Sequence, residues 1–100
     1  MMMNGFSYIP DDDDIRREKN KARDLRATQW WKRKRAKGFC HYCNQKFPAK
    51  ELTMDHVVPI AKGGKSTKSN VVPCCKTCNT EKKSRLLTEW QPDIPPDKNK

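Results

Sequence analysis

Apolar residues are sparse along this chain, and their spacing changes from one stretch to the next. From residue 14 to 37 there is no Pro or Gly, Arg, Lys and Ala are abundant, and the apolar positions are Ile15, Ala22, Leu25 and Trp30 or Trp31. That pattern predicts a helix from about 14 to 37 with a narrow buried seam. Asp13 or Asp14 can cap its start, the neighbouring acids suit the positive end of the helix dipole, and Gly38 supplies a stop. Further on, Glu51-Leu52-Thr53-Met54-Asp55-His56-Val57-Val58 alternates well enough for one short strand, which Pro59 ends or borders. Lys62-Gly63-Gly64-Lys65 is a turn signal, and Asn70-Val71-Val72-Pro73 is a second short extended piece. Nothing interrupts a helix from Cys75 to about Leu87. The expected order is strand, loop, strand, helix: a small α+β unit behind a long basic helix.

Composition limits what can hold such a unit together. The chain has 100 residues, of which 34% are hydrophobic and 8% aromatic, so a large apolar core is excluded. Chains this small and polar usually need a disulfide, a metal or an oligomer. Lys plus Arg number 22 against 12 Asp plus Glu, a formal net charge of +10 that calls for a polyanionic partner, nucleic acid or an anionic membrane surface. The longest apolar runs, such as Val57-Val58-Pro59-Ile60, are far too short to span a bilayer, which favours nucleic acid. The opening Met1-Met2-Met3-Asn4-Gly5 has no basic n-region or apolar h-region, so no secretory signal is expected and the location is expected to be cytoplasmic.

Charge divides the chain further. Residues 1–14 end in four consecutive aspartates, whereas residues 15–38 carry eleven bases against Glu18 and Asp24, nearly all of the net charge. Residues 39–90 hold the cysteines and most apolar positions, and residues 91–100, with Pro92, Pro95 and Pro96, read as a frayed, disordered tail. Most charge runs are only solvated helix faces. With Trp30-Trp31 in its midst, this one is expected to bind phosphate through Arg16, Arg17, Arg23, Arg26, Lys32, Arg33, Lys34 and Arg35.

The cysteines are Cys40, Cys43, Cys74, Cys75 and Cys78. An odd count without an export signal argues against a disulfide framework. Two Cys-x-x-Cys pairs, Cys40/Cys43 and Cys75/Cys78, can converge on one tetrahedral ion, and zinc is the usual occupant. A structural zinc contributes about 10 kcal/mol or more to folding, which would supply what the thin core lacks. The rival reading, a thioredoxin-like redox site, needs only one such pair in an α/β domain. Cys74 reads as a small buried apolar residue and His41, inside the first knuckle, as a bystander.

Taken in order, Cys40-x-x-Cys43, Met54-Asp55-His56-Val57-Val58-Pro59, Gly63-Gly64, Asn70-Val71-Val72-Pro73 and Cys75-Lys76-Thr77-Cys78-Asn79-x-x-Lys82 resemble an HNH endonuclease over about residues 39–83. The resemblance implies the ββα-metal (His-Me finger) fold, stapled by a four-cysteine structural zinc and holding a single catalytic divalent ion. It leaves residues 1–38 unexplained. The last position of the triplet is Asn79 rather than His, a variant in which the amide oxygen can serve as ligand. The resemblance further implies that Asn70 orients His56 and pins the loop between the strands, and that the products carry 5′-phosphate and 3′-hydroxyl ends.

The residues support such chemistry on their own terms. Phosphodiester hydrolysis needs a water deprotonated near neutral pH and a cation on the developing negative charge. Of two histidines, His56 is the one beside a carboxylate and outside a knuckle, and imidazole is suited to act as general base. Asp55 offers a hard oxygen to Mg2+ or Mn2+, and Asn79 a neutral one. Asp55 and His56 would point to opposite faces of an ideal strand, so the strand must bend or end there if both serve one site. In isolation His56 could be a packed strand-end histidine, Asp55 a surface partner for lysine, and Asn70 and Asn79 turn and cap residues. Lys82 or Lys83 could contact a phosphate.

The expectation is therefore a metal-dependent DNA endonuclease, acting on double-stranded DNA as a monomer or weak dimer, of bacterial or phage type, and nicking one strand per chain. The alternatives are a zinc-stabilised nucleic-acid-binding module with a vestigial nuclease site, and an RNA-binding zinc protein.

Overall fold

The computed structural model describes residues 9–92. Most of the tail expected over 91–100, and the first eight residues of the acidic segment, lie outside the described residues. Among the described residues, no helix is long and apolar enough to cross a membrane.

The basic stretch forms two helices where one was expected. Helix α1 spans Asp12–Arg26 and α2 spans Gln29–Ala36. The start of α1 is a reciprocal capping box: Asp14 N–H donates to the Asp11 carboxylate at 2.8 Å, and Asp11 N–H donates to that of Asp14 at 3.2 Å. Asp11 is thus the cap, ahead of the expected Asp13 or Asp14, because only there can an acid three residues on return the bond. Thr28 makes the break. Its hydroxyl donates to the Leu25 carbonyl at 2.7 Å and accepts Trp31 N–H at 3.2 Å, closing one helix and capping the next. The expected stop does occur: Lys37 is the C-cap, and Gly38 follows in the left-handed region at φ +81°.

The remaining elements form a ββα unit. Strand β1 (Thr53–His56) pairs antiparallel with β2 (Val71–Cys74), matching Thr53 with Cys74 and His56 with Val71, and α3 (Lys76–Lys82) follows directly. The first strand is shorter than the alternating run because 3₁₀ turns flank it at Ala49–Glu51 and Ile60–Lys62. Gly64 closes the second of these turns by donating to Pro59 O, and a Cβ there would lie 1.7 Å from Val58 O, so no side chain fits. Helix α3 ends at Lys82 instead of near Leu87: Lys83 turns to φ +52°. The chain then doubles back, which buries Trp90 edge-on against Tyr42 at 5.3 Å and brings Leu87 onto the core.

That core contains Cys40, Tyr42, Cys43, Leu52, Val72, Cys74, Cys75, Cys78 and Trp90. Five of nine are cysteines, so without the four clustered thiols only Tyr42, Leu52, Val72, Cys74 and Trp90 of that cluster remain. Ala22 and Trp31 are the buried apolar residues of the two N-terminal helices, and Glu18 is buried on the same seam.

Candidate active site

The knuckle carrying Cys40 and Cys43 is a tight loop. Phe39 bridges to Lys46, Cys40 N–H donates to Gln45 O, and Asn44 takes a left-handed φ of 62°. Cys75 is the N-cap of α3, and Cys78 lies in its first turn. The sulfur atoms of Cys40, Cys43, Cys75 and Cys78 all lie within 4.8 Å of one another, with Cys43 and Cys75 at 4.0 Å. A tetrahedron with Zn–S bonds of about 2.3 Å has edges of roughly 3.8 Å, so this donor set fits zinc with a slight contraction. Cys74, expected as a buried small residue, is fully buried and stands outside the four, its thiol directed at Cys75 O.

The hairpin places Asp55 and His56 at the end of β1. Pleating sends them to opposite faces. Asp55 turns toward α3, where its Oδ2 accepts the Tyr42 hydroxyl at 2.6 Å and lies 3.2 Å from Lys82 Nζ. His56 turns toward α1, with Nε2 2.9 Å from Ser66 Oγ. Because the strand ends at His56, both residues still line one open cavity of about 180 Å³, with Met54, Pro59, Ile60, Ala61, Lys83 and Ser84. Burial pushes the His56 imidazole below its ordinary pKa, against the opposing pull of the Asp55 and Glu18 carboxylates.

A match to the family model of HNH endonucleases covers residues 40–92. The chain belongs to that family. Comparison with curated proteins found no match. The HNH segment thus contains the four clustered cysteines, the hairpin and α3, whereas α1 and α2 precede it.

Within the HNH segment, Asn70 pins the loop. Its side chain accepts Val58 N–H at 2.9 Å and donates to Val58 O at 3.1 Å and Lys65 O at 2.8 Å, while its own carbonyl accepts Val57 N–H. The side-chain group touching the His56 ring nitrogen is Ser66, not Asn70. Asn79 lies across from β1 on the Asp55 face, donating its amide Nδ2 to Thr53 Oγ1 at 3.4 Å. That bond uses one of the two amide N–H groups, and Oδ1 is the atom that a hard cation would take. Asp55 and Asn79 both carry oxygens of the kind a divalent ion takes, but Asn79 does not line the cavity that Asp55 and His56 share, and the Lys82 ammonium already stands beside Asp55. Lys82 itself corrects the sequence reading: it is fully buried, bonded to His56 O at 3.0 Å and paired with Asp55, so it is withdrawn from any phosphate. Its place on the inner face of α3, against the Tyr42 ring, accounts for this.

The expected basic residues fall into two sets. On α1, Arg16 pairs with Asp13 at 3.1 Å, Arg17 with Asp14 at 3.0 Å and Arg23 with Asp24 at 3.6 Å. Among the described residues, no ion pair involves Arg26, Lys32, Arg33, Lys34 or Arg35. Arg26 and Arg35 line a cavity of about 350 Å³ with Trp31, Lys50, Leu52, Thr53 and Met54, and Arg35 Nε is buried there without a hydrogen-bond partner. A second cavity of about 250 Å³ is bounded by Trp30, Arg33, Lys34 and Lys37, with Lys34 and Lys68 ammonium groups over the Trp30 ring at 5.6 and 5.5 Å. Lys50, Lys68, Ser66 and Glu18 escaped sequence reasoning. Only Glu18 left a signal, since it stands three and four residues from Ile15 and Ala22 on the helical seam.

Proposed function

We propose that this protein is a metal-dependent endonuclease that nicks DNA by phosphodiester hydrolysis. The observation that carries the reading is the open cavity shared by Asp55 and His56 at the end of β1, inside an HNH segment. In this reading residues 39–90 form the nuclease domain and residues 15–38 the arm that binds the DNA backbone. Cys40, Cys43, Cys75 and Cys78 hold a structural zinc, and Asp55 and Asn79 would hold the catalytic Mg2+ or Mn2+. That ion would supply Lewis-acid stabilisation of charge developing on the phosphate.

The chain's own groups perform the rest. His56, at the cavity rim, takes a proton from the attacking water as general base. Asn70 keeps the 57–58 and 65 backbone in place behind it. The unpaired guanidinium and ammonium groups of α2, with Arg26, attract and seat phosphates, a contribution that positions the duplex without reading sequence. Trp30, flanked by lysines, adds a stacking face.

One observation favours a second reading, a zinc-stabilised nucleic-acid-binding module with a vestigial site: the Lys82 ammonium lies where a cation beside Asp55 would act. Supercoiled plasmid incubated with the purified protein and Mg2+, Mn2+, Ni2+ or EDTA separates the two. Nicking that EDTA abolishes is the expected result. Retardation of the plasmid without cleavage under any ion would replace the nuclease reading with the binding module.

A further inference from the structure

His56 is tied to a helix that lies outside the matched family segment. Glu18 of α1 is 4% exposed and grips Ser66 twice. Its Oε1 accepts Ser66 N–H at 2.7 Å, and its backbone carbonyl accepts the Ser66 hydroxyl at 2.6 Å. The same hydroxyl oxygen stands 2.9 Å from His56 Nε2. Lys21 and Lys65 ammonium groups lie 3.6 and 4.0 Å from the other Glu18 oxygen, and the Ser66 N–H bond holds the Glu18 carboxyl below its usual pKa, so it stays ionised.

The protons in this chain follow from what each atom can do. A serine hydroxyl has one proton, and a carbonyl oxygen only accepts. The Ser66 proton therefore goes to Glu18, and toward His56 the hydroxyl is left as an acceptor. Nε2 must then carry a hydrogen. In a neutral imidazole that leaves the lone pair on Nδ1.

We propose that Glu18 and Ser66 are positioning residues of the nuclease site, through which α1 holds His56 as the Nε2–H tautomer and presents Nδ1 as the atom that accepts the proton of the attacking water. The catalytic consequence rests on the nuclease reading, whereas the tautomer does not. It makes α1 part of the active site as well as part of the DNA-binding arm. A clamp that merely glued α1 to the loop would contribute to stability alone and leave the ring nitrogens indifferent.

The test uses the whole 100-residue, zinc-loaded chain. Nitrogen-15 NMR of the imidazole at about pH 8, above the ordinary imidazole titration, should show Nε2–H in the wild type and a loss of that preference in Ser66→Ala. In plasmid nicking, Ser66→Ala should lower kcat about tenfold, the scale of one hydrogen bond's net worth, with KM and zinc content unchanged. Ser66→Thr, which keeps the hydroxyl, should recover most of the rate. Glu18→Ala should shift the tautomer and kcat in the same direction as Ser66→Ala by a smaller factor. An Nδ1–H wild type, or Ser66→Ala with wild-type kcat and tautomer, would overturn the proposal. If the wild type cleaves nothing, the nuclease reading fails by itself, and the spectrum alone upholds or overturns the hydrogen-bond assignment.

Discussion

Helices α1 and α2 are both basic, yet they present their charge differently. Helix α1 opens on Asp12, Asp13 and Asp14, and three of its arginines lie against acids of the same helix. Helix α2 has no acid in its first turn, ends on Arg33, Lys34 and Arg35, and borders two cavities with exposed or unpartnered cationic groups. The seam of α1 instead turns a carboxylate inward, toward His56. A charge summed over residues 15–38 merges the two helices. The field a nucleic acid would meet, and the route to the active site, separate them.

The largest expected effect concerns the scaffold on which both helices rest. Cys43→Ser should unfold the HNH segment and leave both helices without a surface to pack on, because five of the nine residues in its core are cysteines. Circular dichroism and elemental analysis check this. A folded, zinc-free chain would show that the interior stands without metal.

His56→Ala tests whether the end of the route from α1 matters for chemistry. Cleavage should fall by about 10² or more, the usual scale of a general base, with zinc, fold and DNA affinity retained. The wild-type pH profile gives the sign independently. In the proposed role the base works when neutral, and burial lowers the His56 pKa, so activity should rise with pH with its midpoint below the ordinary imidazole value of 6.5. Initial rates across that range measure it.

The comparison itself is sharpened by two triple variants. Replacing Lys32, Arg33 and Lys37 with Ala should weaken duplex binding about tenfold at roughly 0.15 M salt and flatten the salt slope by about 0.9 for each phosphate no longer neutralised. Replacing Arg16, Arg17 and Arg23 with Ala should cost much less, since those charges already face acids. Equal losses in a fluorescence titration would mean that the ion pairs of α1 open on DNA and that the distinction between the helices fails. The smallest effect is expected from Thr28→Ala. Losing the cap that separates the two helices should reduce stability by about 1 kcal/mol, read from the denaturation midpoint.

The short-range features of this protein were legible in the chain. Two Cys-x-x-Cys pairs, an alternating run ending in Asp-His-Val-Val-Pro, a double glycine and a second extended piece are local patterns, and each constrains the backbone within a few residues. They announced the strand, loop, strand, helix order and the four clustered thiols. The break at Thr28 was also local, but helix propensity on both sides of it masked the competing hydroxyl bonds.

What only the tertiary structure decided is where distant faces meet. Whether Lys82 reaches solvent depends on which side of α3 lies against Tyr42 and Asp55, and the fold turns it inward. Whether His56 is held by Asn70 or by Ser66 depends on α1 docking across the loop, a meeting of Glu18 with Ser66 over 48 residues of chain. Sequence spacing carries the periodicity of one element at a time. Burial of a charge and the choice of a hydrogen-bond partner are settled by the rotation of one element against another, and that rotation is fixed only when both are packed.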